Sequence, residues 1–292
     1  AALGRSSPWA WSRFVAWRGG GLSGPPRPWQ RPRQPRMRGV ASSQGLRATS
    51  GSAKRPRVVA DLGGASGLNL HLYDHCPYCT RVELVLGWRG LQYGKTGYGY
   101  ADVEGPTALT GKKVLPVLEW TDVLGQQQRM PESRDIIRAV DGMAGPGGSI
   151  IAPKTGRKDL NSWQRRLRRF MHGLTRPRLL RMPIADFSTR EDVQYQMDRY
   201  TAKGFDYEES LARTAELMPK VEQALSDLEP LLRGGRRVSL SGDGWSWDDL
   251  HVLPSLRVLT CVAGLAWPSK VRSYVQESHA EAGVGLYFEH AC

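Results

Sequence analysis

Alternating apolar and polar residues across positions 68–72 predict a β-strand with its leucines on one face. Shortly after it, residues 81–88 have their apolar side chains at helical spacing. Cys76 and Cys79 lie between these two segments. The two cysteines are therefore predicted to lie at the junction of a strand and a helix.

The next segments continue a mixed pattern of strands and helices. Residues 91–100 indicate a weak strand interrupted by glycines, and residues 102–110 a loop or short helix. A β-rich run follows at 114–120, and Pro116 inside it predicts an edge, a bulge or a special turn, because proline cannot donate to a sheet ladder. A helix is predicted to begin near Glu132, and its apolar stripe consists of Ile136, Ile137, Val140 and Met143.

Beyond a stretch rich in Gly and Pro, the chain is patterned as helices. Residues 206–232 predict one long helix whose apolar side chains follow a seven-residue seam. The Ser-x-x-Asp sequence at 246–249 has the form of a capping box. It opens the segment 250–265, which is predicted to be broken or kinked at Pro254. A last helix is predicted over 267–277.

Charge is distributed unevenly along the chain. The net charge of +13 would suggest a nucleic-acid partner, but residues 1–60 hold twelve of the 41 basic residues and none of the 28 acidic ones. The other 29 basic and 28 acidic residues nearly cancel, so the charge of the remaining chain gives no reason to expect a nucleic acid. The apolar runs are also too short for a membrane span, and no membrane partner is expected.

Residues 1–66 are predicted to be a basic, largely disordered leader. They are rich in Arg, Ser, Gly and Pro, and their first turns mix tryptophan with arginine. This composition is typical of a transit peptide for a mitochondrion or a plastid, and the long apolar core of a secretory signal is missing. A basic arm that binds nucleic acid or acidic partners is the alternative.

Cys76 and Cys79 are candidates for redox chemistry. A helix N-terminus has unpaired N–H groups and a partial positive charge, which stabilise a thiolate placed there. Cys76 would be the nucleophile, with Pro77 at the first helical position, and Cys79 would resolve a mixed disulfide formed at Cys76. The alternative is half of a zinc site, which needs more ligands. The sequence has no second Cys-x-x-Cys or paired His/Cys cluster, so no metal is expected.

Several stretches resemble known families. His75-Cys76-Pro77-Tyr78-Cys79 resembles the active site of glutaredoxins, and Leu115-Pro116 resembles the cis-proline of thioredoxin-fold proteins. Glu132-Ser133 is similar to the pair that glutathione transferases use for the γ-glutamyl group. The second half looks like the helical domain of the glutathione transferase superfamily, and its residues 248–269 resemble the bacterial glutaredoxin 2 subfamily.

This resemblance implies a fold of two domains. Residues 67–145 would form an α/β thioredoxin-like domain, a mixed four-stranded sheet with helices. A linker at 146–156 would join it to an all-α domain like that of glutathione transferases, over residues 157–292. Glutathione would be the cofactor, bound between the two domains.

The resemblance also implies roles for individual residues. Glu132 and Ser133 would hold the γ-Glu end of glutathione at a helix N-terminus. The backbone of Leu115, held by Pro116, would pair with the cysteinyl part, and Tyr78, which follows Pro77, would lie along the tripeptide. On local grounds Ser133 is explained as readily by a helix cap.

The implied activity is the reduction of protein disulfides and glutathione mixed disulfides, so glutathione and disulfide-containing or glutathionylated proteins are the expected partners. A glutathione transferase that uses Cys76 is one alternative. A glutathione-binding structural subunit, including one that bridges an iron–sulfur cluster, is another. The arginine-rich stretch at 165–181 is either a solvated face or a docking surface for acidic proteins or nucleic acid.

Overall fold

The computed structural model describes residues 62, 64–143, 148–234, 237–242 and 244–292. Nearly all of the predicted leader lies outside these described residues, so the targeting interpretation stays a prediction. Leu62 is buried and the first strand begins at Ser66. Residues before position 67 therefore belong to the fold. Within the described ranges, no helix is both long and apolar enough to cross a membrane.

The first part of the fold is a mixed sheet with helices packed on it. In chain order its elements are β1 (Ser66–Leu72), α1 (Pro77–Trp88), β2 (Gly94–Gly97), α2 (Glu104–Thr110), β3 (Val117–Thr121), β4 (Gln127–Pro131) and α3 (Ser133–Gly142). The strand order is β2-β1-β3-β4, with β1 parallel to β2 and the other pairs antiparallel. This confirms the predicted four-stranded thioredoxin-like sheet.

The prediction for the second strand needs correction. The strand predicted over 91–100 is confined to Gly94–Gly97, and beyond it the Tyr100 N–H donates to the Asp186 carbonyl instead of to a neighbouring strand. Residues 102–110, predicted as a loop or a short helix, contain the short helix α2, which ends at Gly111 in the left-handed conformation. Pro116 lies just before β3 rather than inside it, and the Leu115–Pro116 peptide bond is cis.

The second part consists of helices. They are α4 (Lys158–Leu179), α5 (Arg190–Thr201), α6 (Tyr207–Ala212), α7 (Thr214–Leu228), α8 (Trp247–Leu259) and α9 (Ser269–Ala282). Short 3₁₀ turns lie at Ala185–Phe187, Glu229–Leu231 and Phe288–His290. The all-helical second half is as predicted.

The helices differ from the prediction at two points. The single helix predicted over 206–232 is broken at Arg213, where the Thr214 hydroxyl donates to the Leu211 carbonyl at 2.7 Å and competes with the helical pattern. A break or a kink was predicted at Pro254, and the break is absent, because α8 runs through this residue. The capping box that starts α8 is confirmed by reciprocal hydrogen bonds between Ser246 and Asp249.

A neighbouring helix takes up the carbonyl that Pro254 leaves without a partner. Proline has no N–H, so the carbonyl four residues earlier, that of Leu250, loses its helical donor. Arg81 of α1 donates its Nε–H to this carbonyl at 2.8 Å. An interaction between the two parts of the fold thus replaces the missing helical hydrogen bond.

The two parts share one continuous cluster of buried apolar residues. Helix α1 is central to it, since it packs against α3, α8 and α9. A Cβ at Gly87 would come within 2.0 Å of the Ala282 backbone oxygen, so only glycine allows this approach of α1 to α9. Trp88 stacks on Trp245 with ring centroids 4.4 Å apart. The position of α1, which carries the dithiol, is therefore set by both parts of the fold.

Candidate active site

The predicted dithiol lies at the N-terminus of α1. Cys76 is the N-cap residue, with extended backbone angles, and Pro77 takes the first helical position. Cys76 is half-buried, whereas Cys79 is fully buried, and both are free thiols. The sequence thus predicted the arrangement in which the first sulfur is the accessible one.

The environment separates the pKa values of the two thiols. A hydrogen bond from the Cys79 thiol lowers the pKa of Cys76 to about 6, aided by the N–H groups of Cys79 and Tyr78 and by the charge of His75, while burial opposes this shift. Burial raises the pKa of Cys79 well above its usual range, and the hydrogen bond to Cys76 acts in the same direction. The site therefore favours a thiolate at Cys76 and a protonated thiol at Cys79.

A buried carboxylate of the helical part holds the loop before Cys76. Asp186, in the 3₁₀ turn between α4 and α5, is fully buried. It accepts hydrogen bonds from the backbone N–H groups of Asp74, at 2.9 Å, and His75, at 2.8 Å. Its Oδ2 also lies 2.5 Å from Nδ1 of His75, whose ring packs against Tyr100 and Phe187. The imidazole is thereby fixed next to the nucleophile.

Arg257 and Tyr287 hold the same loop from the other side. The Arg257 guanidinium, on α8, hydrogen-bonds to the carbonyl of Asp74 and forms an ion pair of 2.9 Å with the Asp74 carboxylate. It also donates to the Thr80 hydroxyl at 3.3 Å. The Tyr287 hydroxyl donates to the Asp74 carboxylate. Long-range contacts of the helical part thus support the geometry of the dithiol loop.

A cavity of about 560 Å³ lies beside the first turn of α1. Most of the predicted glutathione-binding residues line it: Tyr78, Leu115, Pro116, Glu132 and Ser133. The remaining lining residues are Arg81, Val114, Arg134, Arg168 and His251. Cys76, Pro77 and Cys79 belong to the same turn as Tyr78 without lining the cavity themselves. The structure thus places five of the six predicted glutathione-binding residues, all except Pro77, around one cavity.

Glu132 has an unusual backbone. Its φ of 74° and ψ of 103° lie outside the regions that residues with a side chain favour, and no other described non-glycine residue has a positive φ. Such conformations cost roughly 1–3 kcal/mol and cluster at functional sites. The Glu132 side chain makes no capping hydrogen bond to α3, so a capping role does not account for it.

Ser133 is the first residue of α3 and is buried. No hydrogen bond of its hydroxyl to another described residue is found, so the capping interpretation of Ser133 has no partner in this part of the chain. Glu132 and Ser133 both line the cavity, so the Glu132 carboxylate and the Ser133 hydroxyl are available to hydrogen-bond with a ligand. A ligand with an ammonium and a carboxylate would use both groups.

Several residues of the site were not predicted from the sequence. Asp186 and Tyr287 are isolated residues in the helical half that no local motif marks, and Arg257 lies within the stretch 248–269, whose resemblance assigned it no role. Arg168 belongs to the arginine-rich stretch at 165–181. The sequence shows the charge of this stretch but not which of its side chains face the cavity.

Comparison with known proteins agrees with this arrangement. Residues 159–291 match the family model for the C-terminal domain of glutaredoxin 2, and residues 70–147 match that for the N-terminal domain of glutathione S-transferase. Glutaredoxin 2 of Escherichia coli strain K12 is 31% identical over 221 residues, which are 75% of this chain and 97% of the relative.

Solved structures give the same result. Glutaredoxin 2 of Salmonella typhimurium, in complex with glutathione, has a TM-score of 0.69 and 27% identity, covering 78% of this chain and 100% of that one. A glutathione transferase of Phanerochaete chrysosporium, with a TM-score of 0.53, 16% identity, and 74% and 98% coverage, shares the fold. This chain belongs to the glutaredoxin 2 family.

Proposed function

We propose that this protein is a glutathione-dependent oxidoreductase that reduces glutathione mixed disulfides and protein disulfides. The observation that carries the proposal is the pair of thiols with opposite pKa shifts at the start of α1, next to a cavity, in a member of the glutaredoxin 2 family. Thiolate at Cys76 is the form that attacks a disulfide. The buried Cys79 thiol stays protonated until it attacks a mixed disulfide formed at Cys76.

The first step is attack of the Cys76 thiolate on the glutathione sulfur of a mixed disulfide. The old S–S bond breaks, the substrate leaves as a thiolate that takes up a proton, and glutathione stays bound to Cys76. A second glutathione thiolate then attacks this intermediate, which yields glutathione disulfide and restores Cys76.

Protein disulfides take the dithiol route. After Cys76 has formed a mixed disulfide with the protein, Cys79 loses its proton and attacks the Cys76 sulfur, releasing the second protein thiol. The Cys76–Cys79 disulfide is then reduced by two glutathione molecules, which become glutathione disulfide. The position of Cys79 in the same helical turn supports this role.

The cavity offers groups for each end of glutathione. The Glu132 carboxylate pairs with the γ-Glu ammonium, and the free N–H groups at the start of α3, next to Ser133, receive the γ-Glu carboxylate. The Leu115 backbone lies outside the sheet ladder, which begins at Val117, and pairs with the cysteinyl residue. Tyr78 lies along the tripeptide.

Glutathione transferase activity and a structural, iron–sulfur-bridging role are the competing functions. Neither needs a second thiol behind Cys76, and the hydrogen bond from Cys79 that lowers the pKa of Cys76 favours the oxidoreductase.

We also propose that residues 1–66 direct the protein to a mitochondrion or plastid, because their composition is typical of a transit peptide. Fusion of these residues to a fluorescent protein tests the targeting.

The test of the activity is turnover of glutathione mixed disulfides, coupled to glutathione reductase. Cys76→Ser should abolish turnover. Cys79→Ser should retain it, because glutathione replaces the resolving thiol, but should lose the reduction of protein disulfides. Equal turnover by Cys76→Ser and the unaltered protein would refute the assignment, and conjugation of electrophiles without disulfide reduction would favour the transferase.

A further inference from the structure

Three arginines from three different helices line the candidate-site cavity: Arg81 of α1, Arg134 of α3 and Arg168 of α4. Glu132 is the sole carboxylate among the residues that line this cavity. Within the described part of the chain, none of the three guanidinium groups forms an ion pair. Positively charged groups that lie close together without counter-charges repel one another. An anion bound in the cavity would therefore stabilise the three arginines.

Arg81 is a fixed member of this group. Its side chain is 8% exposed, its Nε–H is committed to the Leu250 carbonyl, and its guanidinium lies 5.1 Å from the centre of the Tyr78 ring. Burial lowers the pKa of Arg81, and the charges of Arg134 and Arg168 lower it further, as expected for cations facing one another. The other two side chains are exposed at the mouth of the cavity.

Glutathione alone does not account for all of this charge. It has two carboxylates and one ammonium. In the arrangement proposed above, Glu132 takes the ammonium and the start of α3 takes the γ-Glu carboxylate. The charged lining residues together carry +2 and bound glutathione carries −1, so one positive charge remains without a partner. The other occupant of the site during the reaction is the non-glutathione half of the disulfide.

We propose that Arg168, together with Arg134, selects disulfides whose non-glutathione half carries a carboxylate close to its sulfur. This inference rests on the proposed function and names its substrate class: glutathione mixed disulfides of acidic thiols. The thiol is either a small acid or a cysteine flanked by Asp or Glu in a peptide. The guanidinium groups attract the substrate and stabilise the thiolate that leaves when Cys76 attacks.

The test uses three mixed disulfides of glutathione that differ in the charge of their second half. These are formed with 3-mercaptopropionate, which is anionic, with 2-mercaptoethanol, which is neutral, and with cysteamine, which is cationic. We expect kcat/KM to fall in that order, with roughly a tenfold difference between the first and last at low salt. The difference should shrink as ionic strength rises, because the charges near the mouth are screened.

The variants of Arg168 make the test specific. Arg168→Gln should reduce the preference for the anionic over the cationic disulfide by about threefold, Arg168→Lys should retain most of it, and Arg168→Glu should reverse it. Arg165→Gln is the matched control. Arg165 is an exposed arginine of the same helix that donates to Ser162 and does not line the cavity, so the preference should not change.

Peptides identify the source of the carboxylate. A glutathionylated peptide with Glu on both sides of the cysteine should be a better substrate than its Lys counterpart if protein segments are the targets. A preference confined to the small disulfides would identify small acidic thiols instead.

Two results would overturn the inference. One is equal kcat/KM for the three small disulfides, with the proposed activity intact. The other is a charge preference that persists in both Arg168→Gln and Arg134→Gln. If the protein reduced none of the three disulfides, the proposed function itself would fail, which is a different outcome.

Discussion

The Asp186 carboxylate lies 2.5 Å from Nδ1 of His75, the residue directly before the candidate nucleophile. This contact joins positions 111 residues apart, in the two parts of the fold. Because Asp186 is fully buried, its charge is compensated by this imidazole and by two backbone N–H groups of the dithiol loop. The nearby His75 charge in turn lowers the pKa of Cys76, after the larger effect of the Cys79 thiol.

Asp186→Asn should raise the pKa of Cys76 and lower stability. The amide keeps the shape of the side chain but removes the charge that holds the imidazole next to Cys76. Loss of a charge-assisted hydrogen bond costs about 1.5–3 kcal/mol. We expect the pH midpoint of Cys76 alkylation to move upward, measured by mass spectrometry, together with a lower melting temperature.

Asp192→Asn is the control for this prediction. Asp192 is also buried, is the third helical residue of the Thr189 capping box of α5, and accepts from the Ala101 N–H at 2.8 Å, without contact to His75. It should lower stability and leave the alkylation midpoint in place. Equal shifts of the midpoint in both variants would mean that general loosening of the fold, rather than the Asp186–His75 contact, sets the reactivity.

The alkylation of Cys76 should depend on pH around the acid side of neutrality. Because the pKa of Cys76 is lowered to about 6 and thiolate is the reactive form, the rate with iodoacetamide should rise as pH increases through that value and level off above it. Cys79→Ala removes the thiol that donates to Cys76, so the midpoint should move toward that of a free cysteine, about 8.5. An unchanged midpoint in Cys79→Ala would contradict the assigned cause.

Two substitutions at Glu132 separate ligand binding from backbone strain. Both Glu132→Ala and Glu132→Gly should weaken glutathione binding about ten- to a hundredfold, because the partner of the γ-Glu ammonium is lost. The glycine variant should melt at a higher temperature than the alanine variant, since glycine adopts a φ of 74° without strain. Calorimetric titration on a Cys76→Ser background and thermal unfolding measure the two effects. Unchanged affinity in both variants would remove Glu132 from the binding site.

The N-terminal boundary can be tested by truncation. A protein that begins at Leu62 should keep its activity, because the sequence of the basic leader has almost no apolar pattern from which a core could form. A protein that begins at Gly67 loses the buried Leu62, and burial of such a side chain contributes about 1.5–3 kcal/mol. Thermal unfolding of the two proteins should therefore differ. Equal melting temperatures would show that Leu62 contributes little to the core.

The part of the site that could be predicted from the sequence is the part that local rules determine. A strand followed by a helix places Cys76 at the helix N-terminus, and the Ser246 capping box starts α8 where the pattern indicated. Asp186 and Arg257 act across more than a hundred residues of chain, and no periodicity or motif marks such contacts in a single sequence. The Glu132–Ser133 pair was identified by its resemblance, while its backbone strain emerged only in three dimensions.

The bond between Arg81 and the Leu250 carbonyl has an evolutionary consequence. The Leu250 carbonyl is available because position 254 is a proline. The stabilisation that a donor at position 81 provides therefore depends on a residue of another helix. Where relatives have a different residue at 254, the helix can satisfy its own carbonyl, and selection for a long donor at 81 should relax. The two positions should therefore covary among relatives. A substitution at one position should destabilise the fold least when the other position is substituted as well.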